Sequence, residues 1–168
     1  MAPSVSRRAL LAGAAPVLLL AGCGFQLRRA PDYPFKSIAV TGPDPVASRL
    51  RRSLKGMGKL TVLDAKAPAQ GAEVVCEVLE QSRGSGVAVS TTGGTVRELT
   101  LTLTVRFRLR TGGGKELIAA TPVTQSRDIS YDATTTLANE SEQELLYRDM
   151  TTDIADQIVR RIGYVKAL

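Results

Sequence analysis

Two kinds of residue in this 168-residue chain could do chemistry by type and spacing. One is cysteine, present as Cys23 and Cys76; the other is a row of arginines, Arg106, Arg108 and Arg110, set two apart in TVRELTLTLTVRFRLRT. Two cysteines allow a disulfide, part of a metal site, or two separate roles. A strand would hold the guanidinium groups about 7 Å apart, able to engage phosphates or acidic side chains by charge-assisted hydrogen bonds. The same row also reads as a charged face that keeps a strand soluble and guards its edge. Histidine is absent, which removes Ser-His-Asp and Cys-His catalysis and most transition-metal sites, all of which use imidazole. No carboxylates fall in a pocket pattern: Arg127-Asp128 and the series Asp149, Asp153, Asp156 read as surface or helix-face charges. Gly112-Gly113-Gly114-Lys115 lacks the Ser or Thr and the following helix of a phosphate loop, so it reads as a hairpin turn, as does Gly93-Gly94. The expectation is no enzyme, no cofactor and no metal.

The first residues decide between the roles of Cys23. Arg7 and Arg8 precede an apolar stretch from Ala9 to Leu20, and small residues follow, which is the anatomy of a signal peptide. The stretch falls short of the roughly 20 apolar residues needed to span a bilayer, and it contains Pro16. Leu20-Ala21-Gly22-Cys23 resembles the lipobox of bacterial lipoproteins. That resemblance implies a diacylglyceryl thioether on the Cys23 sulfur and cleavage before it. Cys76, lying among valines in AEVVCEVLE, then reads as a small core residue. Gly24 in place of aspartate implies, by the enterobacterial sorting rule, delivery to the outer membrane. Ser6-Arg7-Arg8-Ala9-Leu10-Leu11 resembles a twin-arginine export signal, and paired arginines suit the Sec route as well. Removal of residues 1–22 takes two arginines and no acid, lowering the net charge from +6 to +4. The remaining basicity suits an anionic membrane surface or ligand. Nucleic acid is not expected, because the basic strand has no interleaved aromatics for stacking and export removes the usual partner.

The elements that must position these groups follow from periodicity. Residues 1–22 are the leader, 23–36 a lipidated tether, and 37–168 a single domain. A strand is expected around Ser37–Val40, a basic amphipathic helix over Val46–Lys55 with Val46, Ala47, Leu50 and Leu54 inward, and a short strand at Lys59–Leu63. Glu73–Val78 alternates as a third strand, and RGSGVAVSTTGG, residues 83–94, reads as a loop. Leu99, Leu101, Leu103, Val105, Phe107 and Leu109 share one side of a long half-buried antiparallel strand, with threonines and the arginine row on the other. Lys115–Tyr131 returns as its partner, with Pro122 demanding an edge or a bulge. Asn139 with Glu142 reads as a helix start, and Leu146, Met150, Ile154, Ile158 and Ile162 then recur every four residues. Sheet and helices together make an α+β layer.

From Cys23 to Ile162 the chain resembles the LptE family of outer-membrane lipopolysaccharide-assembly lipoproteins. The resemblance is carried by CGFQLR, VRELTLTLTVRFRL, SRDISYD and LANESEQELLYRDMTTDIADQIVRRI, in that order and spacing. It implies a mostly antiparallel four-stranded sheet, with room for an extra short strand, covered by two helices. It also implies a non-catalytic, lipid-anchored, periplasm-facing protein of the outer membrane. Such a protein plugs and helps assemble the LptD β-barrel and binds lipopolysaccharide. The loop and helix-start positions that could bear basic residues read Ser90-Thr91-Thr92 and Asn139 here, so Arg106, Arg108 and Arg110 are candidate contacts on their own pattern alone. An alternative is a generic envelope lipoprotein that binds another anionic polymer or stabilises a different complex.

Overall fold

The computed structural model describes residues 32–64 and 66–168. The expected leader, Cys23, and the CGFQLR start of the tether lie outside the described residues. In chain order the elements are β1 (Ser37–Thr41), α1 (Val46–Gly56), β2 (Thr61–Val62), a 3-10 turn (Ala69–Gly71), β3 (Val74–Ser90), β4 (Val96–Thr111), β5 (Glu116–Ser130) and α2 (Thr136–Ile162). The fold is α+β with two helices, but the sheet is five-stranded and mixed, in the order β2-β1-β3-β4-β5. β3, β4 and β5 pair antiparallel. β1 runs parallel to both its neighbours, because α1 carries the chain back before β2 and the 3-10 turn carries it back again before β3, and such returns create parallel pairs.

Apolar periodicity explains each element that meets the core. Val46, Ala47, Leu50 and Leu54 of α1 are fully buried, and Met150, Ile154, Ile158 and Ile162 of α2 lie against the same cluster. From the sheet come Ile38, Val40, Cys76, Val78 and the alternating series Leu101, Leu103, Val105, Phe107 and Leu109. Each such aliphatic or aromatic side chain contributes about 1.5–3 kcal/mol on burial. Both long hairpins turn by one device: Thr91 and Thr111 each donate an N–H to the carbonyl four residues on, at 2.8 Å, and Gly94 and Gly114 supply positive φ at the fourth position.

Three expectations need correction. Residues 83–90 are strand rather than loop, because β4 continues past Val78 and offers a ladder that pairs Gly84 with Thr102, Ser85 with Leu101 and Gly86 with Thr100. The second helix starts at Thr136, a turn before Asn139. Asn139 is buried and donates from Nδ2 to the Asp132 carbonyl at 2.6 Å, so it fastens the entering loop to the helix instead of capping it. The third concerns the expected tether, whose last residues join the core. Phe35 is 3% exposed, the Tyr33 ring packs against it at a 45° tilt with centroids 5.3 Å apart, and the Lys36 N–H donates to Glu73 Oε2 at 2.7 Å. Pro122 sits, as its chemistry requires, on the edge strand β5.

Candidate functional site

Both helices lie on one side of the sheet, against the inward residues of β3, β4 and β5. Along most of its other side the sheet has no covering element among the described residues; only near Ala39 and Val75 does the segment around Ala69 and Ala72 close a small second cluster. The uncovered part is built by the period-two alternation of β4, which turns Thr100, Thr102, Thr104, Arg106, Arg108 and Arg110 away from the core. The register sets these beside small or polar residues: Gly86 and Asp128 flank Thr100, Gly84 and Ser126 flank Thr102, and Ser82 and Thr124 flank Thr104. Thr100 Oγ1 donates to Asp128 Oδ1 at 2.6 Å, and the Thr104 and Thr124 hydroxyls lie 3.0 Å apart. The result is a shallow strip rich in hydroxyls, three strands wide.

The three arginines differ along this strip. Arg108 donates from Nε to Glu77 Oε2, and Arg110 reaches Glu77 Oε1 from Nε at 3.0 Å and Nη2 at 2.9 Å. One carboxylate on β3 thus joins two guanidinium groups on β4. Burial pushes the Glu77 carboxyl up, but the hydrogen bonds and charges of Arg110 and Arg108 outweigh it and hold the group below the ordinary carboxylate range. Arg106 makes no ion pair among the described residues. It is exposed and lines a hollow of about 200 Å³ with Glu80, Ser82, Thr104 and Pro122. The expected ladder is therefore one accessible cation followed by two that share an anion.

Other expected positions are equally definite. Cys76 is fully buried, and burial pushes its thiol up to about 12, which leaves the sulfur protonated and inert at neutral pH. Asp153 pairs with Arg127 at 2.6 Å, tying α2 to β5. Sequence reasoning missed Glu77 as the partner of the arginines: its alternation with Cys76 placed it on the right face, but the register was needed to bring it opposite Arg108. It also missed Arg83, which bonds Glu144 at 2.8 Å and lies 4.6 Å over the Tyr147 ring. The Tyr147 hydroxyl in turn donates to the Gly84 carbonyl at 2.8 Å, so α2 is fastened to β3 by a contact that exists only because β3 runs through Arg83 and Gly84.

Comparison with known proteins supplies the context for this face. A family model described as LptE, lipopolysaccharide-assembly, matches residues 35–162. The solution structure of an uncharacterized lipoprotein B from Nitrosomonas europaea is similar, with 26% identity, a TM-score of 0.68, and coverage of 83% of this chain and 90% of that one. The rare lipoprotein B of Shewanella oneidensis shares the fold at 24% identity and a TM-score of 0.63, over 76% of this chain and 94% of that one. A minor lipoprotein from Acinetobacter baumannii does so at 21% identity and a TM-score of 0.62, over 79% and 93%. No curated protein matches the chain in sequence.

Proposed function

The chain belongs to the LptE lipopolysaccharide-assembly family, and from that premise we propose that it is a lipid-anchored plug and assembly partner of an LptD-like β-barrel in the outer membrane. In this reading residues 1–22 are removed, Cys23 carries the lipid, residues 23–36 lead to the domain, and the domain faces the periplasm. The protein catalyses no reaction; it positions a barrel and binds lipopolysaccharide on its way to the outer leaflet.

The observation that carries the reading is the one-sided sheet. A protein inside a barrel must close its own core and still present polar side chains to a lumen that is itself polar. Here two helices close one side, and the other offers hydroxyls and the Glu77–Arg108–Arg110 cluster, whose charges are already paired and keep their hydrogen bonds when water is displaced. Of the arginine candidates, Arg106 is the accessible one for a lipid phosphate, while Arg108 and Arg110 engage one only by sharing or releasing Glu77.

The test is purification of the lipidated chain from detergent-extracted outer membranes, with mass spectrometry of Cys23 and of its partners. An LptD-like barrel in stoichiometric amount and a diacylglyceryl adduct on Cys23 are expected. Recovery with a different complex, and no such barrel, overturns the proposal in favour of a generic envelope lipoprotein. Arg106→Ala is expected to weaken lipopolysaccharide binding while leaving recovery of the barrel unchanged.

A further inference from the structure

A second concentration of positive charge lies on the helix side of the sheet, and the barrel-plug reading does not use it. Where α1 and α2 meet beside β3 there is a cleft of about 280 Å³. Arg49 and Arg52 reach it from α1, Arg83 from β3 and Arg148 from α2; Glu144 is the one carboxylate in its lining. Arg83 and Arg148 both lean on Glu144, at 2.8 and 3.7 Å. No ion pair of Arg49 or Arg52 is formed among the described residues. Four guanidinium groups therefore line the cleft with one carboxylate, and Asp44, outside the lining, lies within electrostatic reach of Arg52.

The hydrogen-bonding inventory narrows the ligand. Thr151 and Thr152 also line the cleft, but their hydroxyls donate to the Tyr147 and Arg148 carbonyls of their own helix, at 2.7 and 3.2 Å. The donors left for a ligand are thus guanidinium N–H groups. Arg49 Nε is buried and has no acceptor, although buried donors are nearly always paired. A sugar or a neutral amide would ask for a mixture of donors and acceptors. A phosphate monoester asks for several donors around two negative charges, and arginine forks match its oxygens in pairs.

We propose that this cleft is a phosphate-binding site, taking a phosphate monoester carried by a lipid headgroup or free in solution. The site stands on its own charges and geometry, apart from the barrel partnership. Phosphate oxygens would accept from Arg49 and Arg52 and draw Arg83 and Arg148 partly away from Glu144. The α1–α2 junction would then be bridged by the ligand as well as by its apolar contacts.

The experiment follows the arginine Nε–H resonances of the full lipidated chain in micelles of a zwitterionic detergent. Inorganic phosphate and lysophosphatidic acid are titrated separately, with lysophosphatidylcholine as the diester control. A shift of Arg49 Nε–H with lysophosphatidic acid alone assigns the site to lipid headgroups, and with inorganic phosphate alone to soluble phosphate. A shift with both assigns it to the phosphate group whatever carries it. No shift with either, or an equal shift with the control, overturns the proposal. Arg49→Gln/Arg52→Gln is expected to weaken binding about tenfold or more, as the loss of charge-assisted hydrogen bonds implies. Arg160→Gln/Lys166→Gln, which removes the same charge from exposed positions elsewhere, is expected to leave affinity unchanged; an equal loss there would mean non-specific attraction and overturns the site. Arg52→Glu, at an exposed position where folding is not at stake, supplies the same test if the double variant fails to fold.

Discussion

Glu77 is the residue on which the charged end of the open face depends. It accepts from Arg108 and Arg110 while its side chain is only 16% exposed, and removing one partner from such a cluster leaves the others uncompensated. Glu77→Gln is expected to cost about 1–3 kcal/mol at neutral pH, read by urea unfolding. The folded carboxyl titrates below its ordinary 4.5, so its contribution is complete above that value and is lost as pH falls through the lower, folded one. The gap between wild type and variant should therefore narrow progressively as pH falls below 4.5; a constant gap would show that charge is not what Glu77 contributes. The alternation around Cys76 and along TLTLTVRFRLR made both faces legible in the sequence. The pairing was not, because Leu79 is skipped where β3 and β4 shift register between Val78 and Glu80, and no local pattern announces that shift.

Among the elements, those with a strong apolar period were legible and those specified by their neighbours were not. α1, β4 and the stripe of α2 could be read because burial of one face dictates their spacing. The extension of β3 through Arg83-Gly84-Ser85-Gly86 could not, since glycine and serine have little strand preference and the ladder to β4 decides the outcome. β1 was legible as a strand but its parallel pairing was not, and that pairing rests on Gly42. Gly42 has φ +119, and a Cβ there would lie 2.1 Å from the Val78 carbonyl oxygen. The turn out of β1 can therefore run against β3 only without a side chain. Gly42→Ala is expected to destabilise the domain by about 2 kcal/mol or more in thermal or denaturant unfolding. A loss under about half a kcal/mol, the range of neutral surface changes, would mean that β1 moves off β3 at little cost.

For the molecule as a whole, the folded unit begins earlier than composition suggests. Pro31 and Pro34 mark a linker, yet Phe35, two residues before β1, belongs to the core cluster and is 3% exposed. Phe35→Ala is expected to lower stability by about 3–5 kcal/mol, the cost of truncating a buried phenylalanine; calorimetry on the full chain measures it, and a loss below 1 kcal/mol would show that residues 32–36 are a linker after all. This docking also has a geometric consequence under the proposed anchoring at Cys23. Whatever conformation the intervening residues take, a chain cannot stretch more than about 3.3–3.6 Å per residue, so Cys23 and Phe35 can be no farther apart than about 40 Å. Under that anchoring, Phe35 stays within a hemisphere about 40 Å in radius around the lipid-bearing residue, a depth close to the bilayer's own thickness of about 40–45 Å. Inside that volume one copy already amounts to a millimolar local concentration for anything held in the same leaflet, the order of effective concentration that tethering gives. Modest contacts then suffice for capture there.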